Sequence, residues 1–120
     1  MTDDARAVNP AALERLLEMT GGDPGFLGEL VATYLEDAGV QLGEMLAAAE
    51  ARSAEGMVRP AHSLKGNSAT MGAERLAELC LQLESHGRSG TVDDAVDGVR
   101  AAAAEFERVK AELKRLRAPG

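Results

Sequence analysis

Apolar residues along this chain recur at intervals of three and four with charged residues between them, a spacing that predicts helices rather than strands. Leu13, Leu16 and Leu17 mark a short first helix. It opens at Asn9-Pro10, an N-cap followed by proline at the first helical position, and stops at Gly21-Gly22. Asp23-Pro24 repeats the start signal, and a long helix is expected from Pro24 to Ala51, carried by Leu27, Leu30, Val31, Tyr34, Ala38, Met45, Leu46 and Ala49. Gly39 and Gly43 each cost it about 1 kcal/mol relative to alanine, which points to a bend or close packing beside them.

Ser53 is the next N-cap, with Glu55 in the first turn where the helix dipole favours an acid. A helix from Ala54 to Thr70 follows, with Met57, Ala61, Leu64, Ser68 and Met71 as its buried stripe, Pro60 inside it and Gly72 at its end. Leu76, Leu79, Cys80 and Leu83 face inward on a helix expected from Ala73 to His86, and Ser85 to Gly90 reads as a loop. Thr91 and Asp94 suggest a capped start for a last helix from Val92 to Arg117, striped by Val96, Val99, Ala103, Phe106, Val109, Leu113 and Leu116. Four long amphipathic helices with short connections predict an all-α, antiparallel up-down-up-down four-helix bundle, with a short additional N-terminal helix at one end. Residues 1–8 are expected as a flexible lead, 9–117 as a single domain and 118–120 as a flexible tail.

Composition narrows the function. With two Phe, one Tyr and no Trp, the core must be built from Leu, Val, Ala and Met. The formal net charge of −7 argues against general nucleic-acid binding, which needs lysines and arginines to displace counterions from phosphates. It argues equally against an anionic membrane surface. No apolar run approaches the roughly 20 residues of a membrane span, and the acidic N-terminus lacks the features of a signal peptide. The single cysteine, Cys80, cannot form an internal disulfide. A cytoplasmic monomer is the expectation, and Met1 with single-domain length suggests a free-standing protein.

Candidate chemistry gathers in residues 59–72, RPAHSLKGNSATMG. On a helix, positions three and four apart lie side by side, so His62, Lys65 and Gly66 form one patch. At about 100° per residue, His62 falls roughly 140° from the centre of the buried stripe, Lys65 about 80° and Gly66 about 180°. The histidine therefore points to solvent. Free imidazole titrates near ~6.5, so at neutral pH one ring nitrogen mostly offers a lone pair that can attack phosphorus. A lysine one turn away can balance the charge of a phosphoryl group in transfer, where catalysis is largely positioning and electrostatics. Glycine destabilises a helix interior, so Gly66 calls for a compensating role, and clearance for a partner at His62 supplies one.

The segment AHSLKGNSATMGAERLAELCLQLE, residues 61–84, resembles the signature of histidine-containing phosphotransfer domains of two-component phosphorelays. DPGFLGELVATYLEDA, residues 23–38, resembles the first bundle helix of that family, and the likeness extends over about residues 9–116 in helix order and length. The resemblance implies that His62 is the phosphorylated residue, that Lys65 contacts the phosphoryl group and that Gly66 gives clearance to a docking receiver domain. The family often places a glutamine one helix later to orient the histidine. Here that position is Glu84, whose carboxylate can accept a hydrogen bond from the imidazole yet would repel a phosphoryl group close by. Gln82 does not share its face. Leu81, turned away from the inward leucines, joins Arg59, Ser63, Ala69, Ala73 and Ala77 as the expected docking surface.

The implied function is a phosphorelay intermediate that accepts a phosphoryl group on His62 from a receiver aspartyl phosphate or a partner kinase and passes it to a response-regulator receiver. Its partners are receiver domains and a hybrid or partner histidine kinase. The chain itself needs no cofactor, because the Mg²⁺ belongs to the receiver, and with no glycine-rich ATP loop it is not expected to act as a kinase. A bundle that docks a receiver without transfer is the alternative. A metal site from His62, His86 and Cys80 lacks the usual zinc spacings. A kinase dimerisation domain would carry an acid after the histidine and a downstream proline.

Overall fold

The computed structural model describes residues 6–117 and contains five helices among them: α1 (Pro10–Met19), α2 (Pro24–Glu50), α3 (Ala54–Thr70), α4 (Glu74–Ser89) and α5 (Ala95–Arg117). Three starts follow the expected caps. The Asn9 side chain accepts from the Ala11 amide, Asp23 from the Gly25 and Phe26 amides, and Ser53 from the Gly56 amide.

Cross-helix pairs fix the topology. Tyr34 meets Ser68 and Gln41 meets Ser63, so α2 and α3 run in opposite directions. His62 meets Glu84 while Gly87 lies against Ala54 and Val58, which makes α3 and α4 antiparallel. Arg75 approaches Glu105 and Leu83 lies over Gly98, which does the same for α4 and α5. The Tyr34 and Phe106 rings meet edge-on at 6.4 Å and close the ring of helices between α2 and α5. The result is an antiparallel four-helix bundle with α1 added at one end.

The core is mainly aliphatic, with Val31, Met45, Met57, Leu64, Leu76, Val99, Val109 and Leu113 beside the rings of Tyr34 and Phe106. A buried polar pair within it is Tyr34 and Ser68, whose hydroxyls lie 2.8 Å apart. Burial raises the Tyr34 phenol to about 12 and the Cys80 thiol, also in the core, to about 12. Both groups therefore stay protonated near neutral pH.

Several expectations need correction. Ala7 and Val8 lie in the core rather than in a flexible lead, and the Asn9 amide donates to the Gly72 carbonyl at 2.9 Å. Residues 1–5 and 118–120 lie outside the described residues. α4 does not end at His86 but continues to Ser89, where Gly90 at φ 80° forms the left-handed cap. Gly87 falls inside the helix, where a Cβ would sit 2.8 Å from the Ala54 carbonyl oxygen and from Val58 Cγ2. It is a contact glycine, not a stop signal. α5 starts at Ala95, because Asp94 turns the chain at φ 61° and Thr91 precedes that turn. Gly39 and Gly43 face open space, so close packing does not account for them.

Candidate functional site

Helical phase sets the site up. Ala61, Leu64 and Ser68 are fully buried on the inner face of α3, and that orientation turns His62 outward, with 62% of its side chain exposed. Two residues earlier Pro60 is buried within the same helix. Gly66 is exposed, and a Cβ added to it would meet nothing within 4 Å. Among the described residues no packing requires glycine there, so the space beside His62 opens outward.

α4 brings Glu84 under the histidine. The Glu84 side chain is only 6% exposed, yet three cationic or polar groups converge on it. His62 Nδ1 lies 2.9 Å from Oε2, Lys65 Nζ lies 2.8 Å from Oε1, and Arg88 reaches Oε2 with Nη2 at 2.8 Å and Nε at 3.2 Å. Lys65 first, then Arg88, with His62 adding to them, draw the Glu84 carboxyl down to about 2 against the opposing effect of burial. The carboxylate is thus ionised at neutral pH and can only accept. The hydrogen between Glu84 and His62 must then sit on Nδ1, which leaves the lone pair of the neutral ring on Nε2, the nitrogen not held by Glu84.

The remaining expected residues fall in different places. Arg59 is exposed one turn before His62. Ala69 and Leu81 are also exposed, Leu81 by 46%, and Ala77 is half-buried. Ser63 is half-buried and accepts from Gln41 Nε2 at 3.1 Å, so it braces α2 against α3. Ala73 is fully buried and cannot contribute to a docking surface. It follows Gly72, where a Cβ would run into the Asn9 carbonyl oxygen at 2.7 Å and Ala12 Cβ at 2.8 Å. His86 is exposed and Cys80 buried, on different faces of α4. Gln82 is exposed and lines a separate groove with Leu79 and His86.

Arg88 is the member of the site that periodicity missed. Its signal was present as an acid at 84 followed by a base four residues on, a helical ion-pair spacing. Reading residues 85–90 as a loop removed the helix on which that spacing has meaning.

Residues 29–119 match the family model described as Hpt domain. The chain belongs to the Hpt domain family. It is 26% identical over 88 residues, 72% of its length, to multistep phosphorelay regulator 1 of Schizosaccharomyces pombe, and it spans only 30% of that larger relative. The crystal structure of histidine-containing phosphotransfer protein B from Pseudomonas aeruginosa PAO1 matches at a TM-score of 0.85 and 30% identity, over 92% of this chain and 94% of that one. Among the described residues, no helix is long and apolar enough to cross a membrane.

Proposed function

We propose that this Hpt domain is a phosphorelay carrier whose phosphoryl group rides on Nε2 of His62. The observation that carries this reading is the 2.9 Å contact from Nδ1 to the buried, ionised Glu84, beside an exposed Gly66 with open space over it. One ring nitrogen is held as donor, and the other is the nucleophile.

A receiver aspartyl phosphate, or a partner kinase, supplies the group, and a response-regulator receiver takes it. In the loading step the Nε2 lone pair forms a bond to phosphorus while the bond from phosphorus to the donor oxygen breaks, its electron pair leaving on that oxygen. Nδ1 keeps its hydrogen, so no proton has to move, and the cationic ring rests on Glu84. Lys65 turns from Glu84 to the phosphoryl oxygens. Arg59, Ala69, Ala77 and Leu81 flank His62 and Gly66 as the docking face. The Mg²⁺ sits on the receiver, and the chain carries the group without phosphorylating itself from ATP. The relatives named as a phosphorelay regulator and a phosphotransfer protein support this assignment.

The test is incubation with a phosphorylated receiver. Acid-labile, base-stable label is expected on the chain and absent from His62→Gln. Label that persists in that variant would overturn the assignment, and stoichiometric binding without label would leave a docking module.

A further inference from the structure

Glu84 is an awkward neighbour for a phosphoryl group. A carboxylate beside Nδ1 holds the ring well, but its charge opposes the dianion arriving on Nε2 across the same ring. One balancing charge, Lys65, is bound to Oε1 at 2.8 Å and is the group needed at the phosphoryl oxygens. It cannot serve both ends at full strength. Arg88 is differently placed. It stands on α4 itself, one turn beyond Glu84, and two of its nitrogens reach Oε2, the same oxygen that holds His62 Nδ1. Its grip on the carboxylate does not depend on what Lys65 does on α3.

We propose that Arg88 is a positioning residue that cancels the charge of Glu84, so that the carboxylate holds Nδ1–H beside a phosphoryl group while Lys65 is released to that group. This rests on the carrier function proposed for His62.

Charge accounting supports it. Before loading, Lys65 and Arg88 are positive, Glu84 is negative and the reacting ring is neutral, which leaves a single net positive charge. A phosphoryl dianion on an imidazolium adds a single net negative charge, so the loaded site is neutral. Without Arg88 the loaded site would be anionic. A neutral amide at position 84 would reach the same neutral loaded state with Lys65 alone. Acid at 84 and base at 88 thus act as one electrically neutral unit that grips Nδ1–H more firmly than an amide does.

Phosphoramidate tests this without any partner protein, donating its phosphoryl group to Nε2 as the phosphorus–nitrogen bond breaks and ammonia leaves. Loading rates are measured by mass spectrometry for the wild type, Arg88→Gln, Glu84→Gln and the double variant, with thermal unfolding of each as a check on the fold. Arg88 is 61% exposed, so its replacement leaves the core intact. With Glu84 present, Arg88→Gln is expected to slow loading about fivefold, and in the Glu84→Gln background the same change should matter less than about twofold, a coupling expected of residues in one ion-pair network. Equal slowing in both backgrounds would mean that Arg88 contacts the phosphoryl group itself, and no slowing in either would make it a surface pair. Both overturn the inference. Loading that is normal in His62→Gln would instead sink the carrier assignment, which separates the two failures.

Discussion

Glu84 of α4 holds His62 of α3 across the helix seam at 2.9 Å, and it does so from a buried position while the histidine is largely exposed. The carboxylate is inside and the imidazole outside. Replacing Glu84 by Ala should free both tautomers of the ring and lower the phosphotransfer rate about tenfold, the scale of one lost hydrogen bond to a charged group. ¹⁵N NMR of the His62 ring checks the cause, since the wild type should show the Nδ1–H form and the variant a mixture.

The acid dependence of stability follows from the same carboxylate. Its folded-state value is about 2 against an ordinary 4.5, so at acid pH the unfolded chain binds the proton more readily than the folded one. The stabilisation is therefore complete above about pH 4.5 and is lost as pH falls through about 2. Urea midpoints of the wild type and Glu84→Gln should differ at neutral pH and converge over that window. A constant gap down to the lower limit would contradict the linkage.

Gly66 and Gly87 predict opposite responses to alanine. At Gly66 the added methyl meets, among the described residues, nothing within 4 Å beyond its own helix backbone, so Gly66→Ala should raise stability by up to about 1 kcal/mol through helix propensity. It should nonetheless slow transfer to and from a receiver, because the methyl enters the space proposed above for the docking partner. Thermal unfolding and transfer kinetics on the same variant separate the two effects.

At Gly87 the methyl would sit 2.8 Å from the Ala54 carbonyl oxygen, a backbone atom that cannot step aside. Gly87→Ala should cost about 1–3 kcal/mol by forcing α4 away from α3. Because Glu84 lies one turn away on the same helix, transfer should fall as well. Chemical denaturation gives the first number and label transfer the second.

Tyr34 and Ser68 test the polar pair in the core. Tyr34→Phe leaves the Ser68 hydroxyl buried without its 2.8 Å partner and should cost about 1–3 kcal/mol. Adding Ser68→Ala should recover much of that loss, since removing both partners is far less costly than orphaning one. Denaturant midpoints of the three variants decide it.

Periodicity carried the fold a long way, because helix caps and buried stripes are local features of sequence. Asn9, Asp23 and Ser53 cap where their residue types say, and Met57, Ala61, Leu64 and Ser68 are buried as their spacing requires. It failed where a residue's role is set by another helix. Gly87 looks like a break in one dimension and is a contact surface in three. Ala73 looks like an exposed small residue beside the motif but lies in the turn that α1 covers. In the site, the outward turn of His62 and the openness at Gly66 were legible from phase alone. The buried yet ionised state of Glu84 was not, because it depends on Lys65 and Arg88 converging from two helices.

The α3–α4 seam also acts as a ruler. Its two ends are closed by contacts that need glycine: Gly72, covered by Asn9 and Ala12, and Gly87, pressed against Ala54 and Val58. Along α3, His62 stands about 15 Å from the first end and about 12 Å from the second, at the helical rise per residue. Between those ends the seam runs some four to five turns of helix, and beyond the Gly72 end lies α1. The stretch of seam that carries His62 is thereby set to a fixed length by two contacts of the bundle itself, each at a glycine.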